Sequence, residues 1–239
     1  MKVIELNTID STNNYAKEHI NELEDKTIIH AIRQTCGKGR FDRKWIDLGE
    51  GNLFMTFVLK PSSKYCSGFA NLTQYLSVVL CRILEEYGIQ PQIKWPNDVL
   101  INGKKIAGIL AQSITNGSEF RGIVLGIGVN LNANEEKLKL ITDKVTTSLN
   151  IELKQTIDMF DFRNKLVEEF YKNYENFIQN GFEAIKTDYI NRNCFLDKDL
   201  DVQVLNEIKS GFAKSLTDKG ELVLLKDDKE LVLTIGDIL

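Results

Sequence analysis

The sequence is poor in the residues that build metal sites and disulfide frameworks. Its 239 residues include 4 cysteines, 2 histidines and 3 prolines. The cysteines are far apart and form no C-x-x-C pair, which argues against a zinc site and against a disulfide framework. The N-terminus lacks the apolar run of a signal peptide, and no stretch of about 18 apolar residues occurs anywhere. We therefore expect a cytoplasmic protein with no membrane partner.

Positive charge is also scarce over the chain as a whole. Lysine and arginine number 30 against 34 aspartates and glutamates, for a formal net charge of −4. A general nucleic-acid binder usually has the opposite balance, so we expect no nucleic-acid partner. The length and the 43% hydrophobic content suffice for one substantial core and a small second domain.

One short basic stretch stands out against this acidic background. Residues 34–45 read Gln-Thr-Cys-Gly-Lys-Gly-Arg-Phe-Asp-Arg-Lys-Trp, with four cations and two glycines. Glycine lets backbone N–H groups approach a ligand closely, and arginine offers a planar fork of donors that fits phosphate or carboxylate oxygens. β-Branched and apolar runs at 27–32 and 52–59 predict a strand on either side. The pattern favours an anion-binding loop, and a solvated basic turn is the alternative.

Two further polar segments suggest either local structure or ligand contact. Residues 10–14, Asp-Ser-Thr-Asn-Asn, contain N-cap candidates for a helix that begins near Ser11, but capping needs fewer polar side chains, so both interpretations stay open. Residues 94–98, Lys-Trp-Pro-Asn-Asp, predict a tight turn that presents the carboxylate of Asp98. That carboxylate is a candidate metal ligand, and an ordinary Asx turn is the alternative.

The middle of the chain predicts an at least partly antiparallel sheet. Asn-Gly pairs at 102–103 and 116–117 are typical of β-hairpin turns. Successive residues of a strand point to opposite faces, so one of Lys104 and Lys105 can reach a buried site. Glycines in the strands at 104–110 and 123–130 leave room for a ligand against the backbone.

The remaining segments predict scaffold elements and a small C-terminal module. Apolar periodicity indicates amphipathic helices over 69–87 and 157–178, followed by a short helix near 184–189. His30 is expected to be a core residue and not a catalyst. After about residue 193 the pattern changes to brief alternating runs at 200–205, 212–216, 222–225 and 231–235. We predict a catalytic domain over 1–192 and a small β domain over 193–239 that docks on it.

Five segments, taken together and in order, resemble the motifs of biotin protein ligases over essentially the whole chain. They are residues 11–13, 34–45, 94–98, 105–110 and 126–130. The resemblance implies an α+β fold of the class II synthetase-like, biotin and lipoate ligase type, with a mixed, largely antiparallel sheet flanked by helices and a C-terminal SH3-like β-barrel. It also implies a monofunctional ligase. The part that resembles the catalytic domain starts at Met1, so we expect no N-terminal DNA-binding domain of the kind that some members carry.

Ligases of this family use ATP to convert biotin into biotinyl-5′-adenylate, and they then transfer biotin to a lysine of a biotin carboxyl carrier protein. The resemblance thus implies biotin and that carrier protein as partners, with ATP and Mg²⁺ as cofactors. Homodimers formed through sheet edges are common in the family, and the sequence does not decide the oligomeric state. The alternatives are a lipoate or octanoate ligase of the same fold and a non-catalytic biotin or nucleotide sensor.

The resemblance also assigns the site residues one by one. The catalytic residues are Lys105, Arg40, Arg43 and Asp98, and Asp98 is in addition the implied Mg²⁺ ligand. The biotin-binding residues are Ser11, Thr12, Asn13, Gln34, Gly37, Lys38, Gly39, Arg40, Lys105, Gly108 and Gly126. The ATP-binding residues are Arg43, Trp45, Asn97, Lys105 and Asn130. The acceptor of the carrier lysine's proton is left open between Asp98 and the adenylate's own phosphate.

The loop departs from the family pattern G-R-G-R-x-G-R-x-W at two positions. Lys38 replaces the first arginine, and Asp42 stands where glycine is usual. Lysine keeps the charge but lacks the bidentate fork, while aspartate restricts the backbone and cancels one positive charge. We therefore expect slower or less tight loop closure, and a lower rate of adenylate escape or hydrolysis in an Asp42→Gly variant.

Overall fold

The larger of the two main sheets contains the first part of the chain. We describe residues 2–41, 43–62, 69–142 and 144–239 of a computed structural model. The strands of this sheet are β1 (Val3–Ile9), β2 (Ile28–Gln34), β5 (Leu53–Leu59), β6 (Pro91–Lys94), β7 (Asp98–Ile101), β8 (Lys104–Asn116) and β9 (Glu119–Val129). Two short strands, β3 (Gly37–Lys38) and β4 (Lys44–Trp45), pair with each other in the basic loop.

The seven strands of the larger sheet lie in the order β1-β2-β5-β9-β8-β7-β6. β1 pairs with β2 in parallel, and every other neighbouring pair is antiparallel. The predicted mixed, largely antiparallel sheet is confirmed. The first predicted hairpin turn is present, with Asn102 and Gly103 at φ +51° and +74°, as a two-residue hairpin requires. The second hairpin is also present, but its turn lies one residue later than predicted, at 117–118, because Asn116 pairs with Glu119.

Helices cover the sheet and supply much of the apolar core. They are α1 (Thr12–Glu18), α2 (Leu72–Glu86), α3 (Glu135–Leu138), α4 (Leu149–Leu153), α5 (Met159–Lys172), α6 (Tyr174–Asn180) and α7 (Lys186–Asn191), with a 3₁₀ turn at Gly181–Ala184. Tyr75 of α2 stacks on Phe177 with ring centroids 4.3 Å apart. Among the described helices, none has the length and apolar character that a membrane crossing needs.

The single helix predicted over 157–178 is wrong in one respect. The segment forms two helices, α5 and α6, which meet at Asn173. That residue adopts φ −120° and ψ 6°, outside the helical region, so the hydrogen-bond ladder is interrupted there. The apolar periodicity continues across the break, which is why the sequence pattern does not reveal it.

The C-terminal residues form a second, antiparallel sheet. Its strands are β10 (Asp199–Val204), β11 (Glu207–Leu216), β12 (Leu222–Lys226), β13 (Lys229–Leu233) and β14 (Asp237–Ile238), in the order β13-β12-β11-β10-β14. The predicted small β module is therefore present. No closed barrel is detected within the described part of the chain, and the domain boundary at residue 193 stays a prediction.

The C-terminal sheet contacts the first part of the chain through its own turn at 219–220, which accepts hydrogen bonds from the start of α2 and from Trp95. The indole Nε1 of Trp95 donates to the carbonyl of Gly220 at 3.1 Å, and Gln74 Nε2 donates to the same carbonyl at 2.9 Å. Asn71 Nδ2 donates to the carbonyl of Lys219 at 2.8 Å. This docking carries the short strand β14 to the basic loop.

Candidate active site

A cleft of about 680 Å³ opens between α1, the basic loop and strands β8 and β9. Most of the residues assigned to the site by the resemblance line it. They are Ser11, Thr12, Asn13, Gln34, Lys38, Gly39, Arg40, Arg43, Trp45, Asn97, Asp98, Lys105, Gly108 and Gly126. Gly37 and Asn130 are not among the lining residues.

One end of the cleft, which we call the neutral end, is lined by uncharged polar side chains joined in a network. The Oε1 atom of Gln34 accepts from the backbone N–H of Thr12 at 2.7 Å and from its hydroxyl at 3.1 Å. The Thr56 hydroxyl lies 2.7 Å from Asn13 Oδ1 and 2.8 Å from Thr12 Oγ1. All four residues are less than 9% exposed. Buried, mutually bonded side chains of this kind keep fixed positions.

The start of α1 belongs to this neutral end. Ser11 is the N-cap residue by position, with extended backbone angles, but its side chain makes no capping hydrogen bond. Asn13 Nδ2 donates across the cleft floor to the carbonyl of Leu110 at 3.3 Å. Ser11, Thr12 and Asn13 line the cleft, whereas Asp10 and Asn14 do not. Contact between these residues and a ligand stays a prediction.

Glycines in β8 and β9 make room for side chains above the sheet. A Cβ atom at Gly126 would collide with the amide of Asn13, and one at Gly128 would lie 2.5 Å from the indole of Trp45. A Cβ at Gly108 would lie 2.8 Å from the same indole. The glycines therefore make room for the side chains of Asn13 and Trp45, and the expectation that they leave room for a ligand stays a prediction.

The opposite end of the cleft, the charged end, brings cations from distant parts of the chain together. Lys105 Nζ lies 2.7 Å from Asp98 Oδ1, so Lys105 is the lysine of the 104–105 pair that reaches the buried site. Arg40 Nη1 lies 3.0 Å from Asp237 Oδ1, and Arg43 Nη1 lies 2.7 Å from Asp237 Oδ2. The two loop arginines thus share one carboxylate of the C-terminal sheet.

Positive charge exceeds negative charge at this end. Within the described chain, the cleft is lined by six cations, Lys38, Arg40, Arg43, Lys44, Lys105 and Lys144, and by two carboxylates, Asp98 and Asp237. Burial lowers the pKa of Lys105, against the opposing effect of Asp98. Burial likewise lowers the pKa of Arg40, against the opposing effects of Asp237 and Asp98. Such a site is completed by an anionic ligand.

The basic loop is held at its base by Asp47. Its carboxylate accepts from Arg33 Nε at 2.5 Å, from the backbone N–H of Gln34 at 3.3 Å and from that of Gly49 at 2.7 Å. Gly37 lies at the narrow part of the loop, where a Cβ atom would come within 2.7 Å of the Trp45 carbonyl. Gly37 therefore shapes the loop without lining the cleft. Asp42 lies outside the described residues, so the expectation for the Asp42→Gly variant stays a prediction.

A second cavity of about 480 Å³ adjoins the charged end. Trp45, Lys105 and Asn130 are among its lining residues. Asn130 is 3% exposed, and its Nδ2 donates to the carbonyl of Thr147 at 3.0 Å. The residues assigned to the nucleotide are therefore divided between two neighbouring spaces, with Arg43, Trp45 and Lys105 lining both.

Asp98 is the implied magnesium ligand, and its surroundings fit the role of a single protein ligand. Within the described ranges, no group of three or more His, Cys, Asp or Glu side chains could hold a metal ion. Magnesium bound to substrate phosphates, however, needs only one or two protein carboxylates. Asp98 lines the cleft and has one oxygen engaged with Lys105, so it fits as a single ligand to a phosphate-bound ion.

Several lining residues were missed by the sequence-based assignment. They include Lys44, Gly128, Lys144 and Asp237. Lys44 lies inside the basic stretch and Gly128 in the glycine-bearing strand, so both had a local signal. Lys144 and Asp237 had none, because only the packing of distant segments brings them to the cleft.

Comparison with known proteins agrees with this geometry. The model of the "Biotin/lipoate A/B protein ligase family" matches residues 5–130. The Bacillus subtilis protein named "Bifunctional ligase/repressor BirA" is 30% identical over 205 residues, which are 85% of this chain and 63% of that protein. This chain thus spans less than two thirds of that relative. A "Biotin--[acetyl-CoA-carboxylase] ligase" from Paracoccus denitrificans is 28% identical over 223 residues and 90% of each chain.

Solved structures show the same fold. "Biotin protein ligase from Aquifex aeolicus in complex with biotin and ATP" superimposes with a TM-score of 0.84 at 26% identity, covering 100% of this chain and 97% of that one. The family model spans just over half of the chain, and these relatives extend the likeness to most of it. The chain therefore belongs to the Biotin/lipoate A/B protein ligase family.

Proposed function

We propose that the protein is an ATP-dependent biotin protein ligase that forms biotinyl-5′-adenylate and transfers biotin to a lysine of a biotin carboxyl carrier protein. The observation that carries the proposal is the division of the cleft into a neutral end and a charged end. Biotin has an uncharged hydrogen-bonding ring system at one end and a carboxylate at the other. A cleft divided in this way complements the molecule along its length.

In this proposal the neutral end binds the ring system of biotin. Ser11, Thr12, Asn13 and Gln34 supply uncharged donors and acceptors, and Gly126 provides the space that Asn13 needs. Gly108 gives the Trp45 indole room against the strand surface. The glycines and Lys38 of the basic loop, at 37–39, close over the bound molecule.

The charged end carries out the first half-reaction. A carboxylate oxygen of biotin attacks the α-phosphorus of ATP, the bond from that phosphorus to the bridging oxygen breaks, and pyrophosphate leaves. Two anions must approach each other, so cations that strengthen their hold as charge develops lower the barrier. Arg40, Arg43 and Lys105 have this role, and Asp98 orients Lys105 through their 2.7 Å ion pair.

The nucleotide occupies the charged end and the adjoining cavity. Trp45 and Asn130 lie against the nucleoside, and Arg43, Asn97 and Lys105 face the phosphates. Asp98 would hold a magnesium ion whose charge offsets that of the phosphates. In the second half-reaction the carrier's amine attacks the acyl carbon, a C–N bond forms, the bond from that carbon to the phosphate oxygen breaks and AMP leaves, while the amine's proton passes to Asp98 or to the phosphate. A loop that excludes water protects the adenylate until then.

The neutral end also favours biotin over lipoate. A dithiolane ring offers no N–H group and no carbonyl to the buried polar side chains of Thr12, Asn13 and Gln34. Biotin can therefore form hydrogen bonds in this end of the cleft that a dithiolane cannot, and a hydrogen-bonding site discriminates against an analogue that lacks the matching groups. A non-catalytic sensor would not require the cations of the charged end, of which Arg40 and Lys105 are both retained.

ATP–pyrophosphate exchange tests the proposal. We expect exchange with biotin, none with lipoate or octanoate, and transfer of biotin to a purified carrier domain detected by mass spectrometry. Exchange that depends on lipoate alone would assign the chain to the lipoate ligases. Biotin binding without exchange would favour the sensor.

The remaining parts of the assignment are predictions that accompany this proposal. They are the catalytic domain over 1–192, the SH3-like domain over 193–239, a cytoplasmic location and the choice between monomer and homodimer. Limited proteolysis near residue 193 and light scattering test the domain boundary and the oligomeric state.

A further inference from the structure

Lys144 lies in the segment between α3 and α4, at the junction of the two spaces described above. It lines the cleft together with Lys105 and Trp45. It also lines the adjoining cavity, which contains Asn130. Lys144 therefore borders both spaces, as Lys105 and Trp45 do.

The position of Lys144 is set by main-chain hydrogen bonds. The backbone N–H of Lys105 donates to the carbonyl of Val145 at 2.9 Å, and the backbone N–H of Thr147 donates to the carbonyl of Lys105 at 2.9 Å. Lys105 and Thr146 form an isolated parallel bridge. The residues that follow Lys144 are thus hydrogen-bonded to the backbone of Lys105. These main-chain contacts hold the two lysines next to each other.

Their ammonium groups also interact. Burial lowers the pKa of Lys105 most, the attraction of Asp98 opposes it, and the proximity of Lys144 lowers it further. Lys105 already pairs with Asp98 at 2.7 Å. Two ammonium groups beside a single carboxylate leave an excess of positive charge, and an anion held between them would remove the repulsion.

We propose that Lys144 is a second phosphate-binding lysine, which contacts the α-phosphate of ATP and of the adenylate together with Lys105. The inference rests on the proposed function, because it takes the nucleotide as the ligand that joins the two spaces. In that ligand the α-phosphate links the nucleoside to the reacting carboxylate, and it must lie at the junction that Lys144 lines. A lysine serves there as a mobile point charge that follows the phosphate through the reaction.

The test compares Lys144→Met and Lys144→Arg with Lys139→Met, an exposed lysine earlier in the same segment that does not line the cleft. The KM for ATP is measured in biotin-dependent exchange, and the Kd for biotin alone by calorimetry. We expect Lys144→Met to raise the KM for ATP about tenfold, the loss typical of one hydrogen bond to a charged group. The arginine variant should recover most of the loss, and Lys139→Met should behave as the parent protein.

Two results would overturn the inference. One is a KM for ATP in Lys144→Met that equals that of Lys139→Met. The other is an equal loss of affinity for biotin alone, which would mean that the substitution damages the cleft as a whole.

If the proposed function itself is wrong, the parent protein shows no biotin-dependent exchange. Direct titration of parent and variant with ATP then decides the role of Lys144 by itself, since weaker ATP binding in Lys144→Met supports a phosphate contact and unchanged binding refutes it.

Discussion

The two ends of the cleft differ in how far the protein itself satisfies their polar groups. At the neutral end, Thr12, Gln34, Thr56 and Asn13 bond to one another at distances of 2.7–3.1 Å. At the charged end, six cations face two carboxylates among the described lining residues. One end is therefore formed before a ligand arrives, whereas the other needs anions to balance its charge.

This difference assigns ligand recognition to the neutral end and catalysis to the charged end. A preformed set of uncharged donors and acceptors selects a ligand by shape and hydrogen bonding, and it changes little during the reaction. Cations with unbalanced charge bind most strongly where negative charge develops, which lowers the barrier. We therefore expect substitutions at the neutral end to weaken biotin binding and substitutions at the charged end to slow adenylate formation.

Replacement of Lys105 tests the charged end most severely. Lys105→Met removes the ammonium beside Asp98, and we expect biotin-dependent exchange to fall about 10³-fold in kcat/KM with little change in affinity for biotin alone. Lys104→Met is the matched control, because Lys104 lies on the opposite face of β8 and pairs with Glu152 at 3.4 Å. A loss below about tenfold in the Lys105 variant would show that the charged end is not the centre of the chemistry.

The strand that carries Gln34 to the neutral end contains a buried histidine, which makes this end sensitive to acid. His30 of β2 is 0% exposed, and Arg163 Nη1 lies 3.4 Å from its Nδ1. Burial first and the repulsion of Arg163 second lower its pKa to about 4, while Glu5 acts in the opposite direction. His30 is therefore neutral in the folded protein over most of the accessible pH range.

The sign of the pH dependence follows from that shift. Between pH values of about 6.5 and about 4, the unfolded chain binds a proton at His30 that the folded protein does not. The free energy of unfolding should therefore fall as the pH falls through this window, by roughly 3 kcal/mol at most. The free energy of unfolding, measured by urea denaturation at several pH values, should depend less steeply on pH in His30→Gln than in the parent protein. An equal dependence on pH in the two proteins would contradict the assignment.

The sequence predicts the cleft well where its residues stand in contiguous motifs. Gly108 pairs with Gly128, so alternation along β9 places Gly126 on the same face of the sheet as Gly108. Lys105 lies three residues before Gly108 and would face the opposite side by alternation alone. A register shift in the β7–β8 pairing, where Leu100 pairs with Lys105 and Val99 with Ala107, interrupts that alternation. The approach of Asp237 to Arg40 could not be predicted, because it depends on how the C-terminal sheet docks through the turn at Gly220. A contact between residues 197 positions apart has no local pattern.

Matched substitutions at two glycines of β9 test whether the two ends of the cleft act independently. A Cβ at Gly126 would displace Asn13, and one at Gly128 would displace the Trp45 indole. We expect Gly126→Ala to weaken biotin binding about tenfold, as for the loss of one or two hydrogen bonds, with the KM for ATP little changed. Gly128→Ala should raise the KM for ATP and leave the affinity for biotin little changed. If both variants lose biotin affinity equally, the two ends do not act separately.

Asp237 joins the charged end to the C-terminal sheet, and its replacement should have the smallest effect. Each arginine has five donors, so the carboxylate can orient Arg40 and Arg43 while leaving donors free for phosphate. Asp237→Asn retains an acceptor but removes the charge, and we expect the KM for ATP to rise by about a factor of three and the ligand-free loop to be cut faster by trypsin at 38–44.

Asp228→Asn is the control for Asp237→Asn, because Asp228 is exposed in the same sheet and has φ +57°, which asparagine tolerates. A lower KM for ATP in Asp237→Asn would reverse the interpretation. It would mean that the carboxylate competes with phosphate for the two arginines, and that ATP must displace it. In that case the charged end, like the neutral end, would be satisfied within the protein before a ligand arrives, and the contrast between the two ends would be one of charge alone.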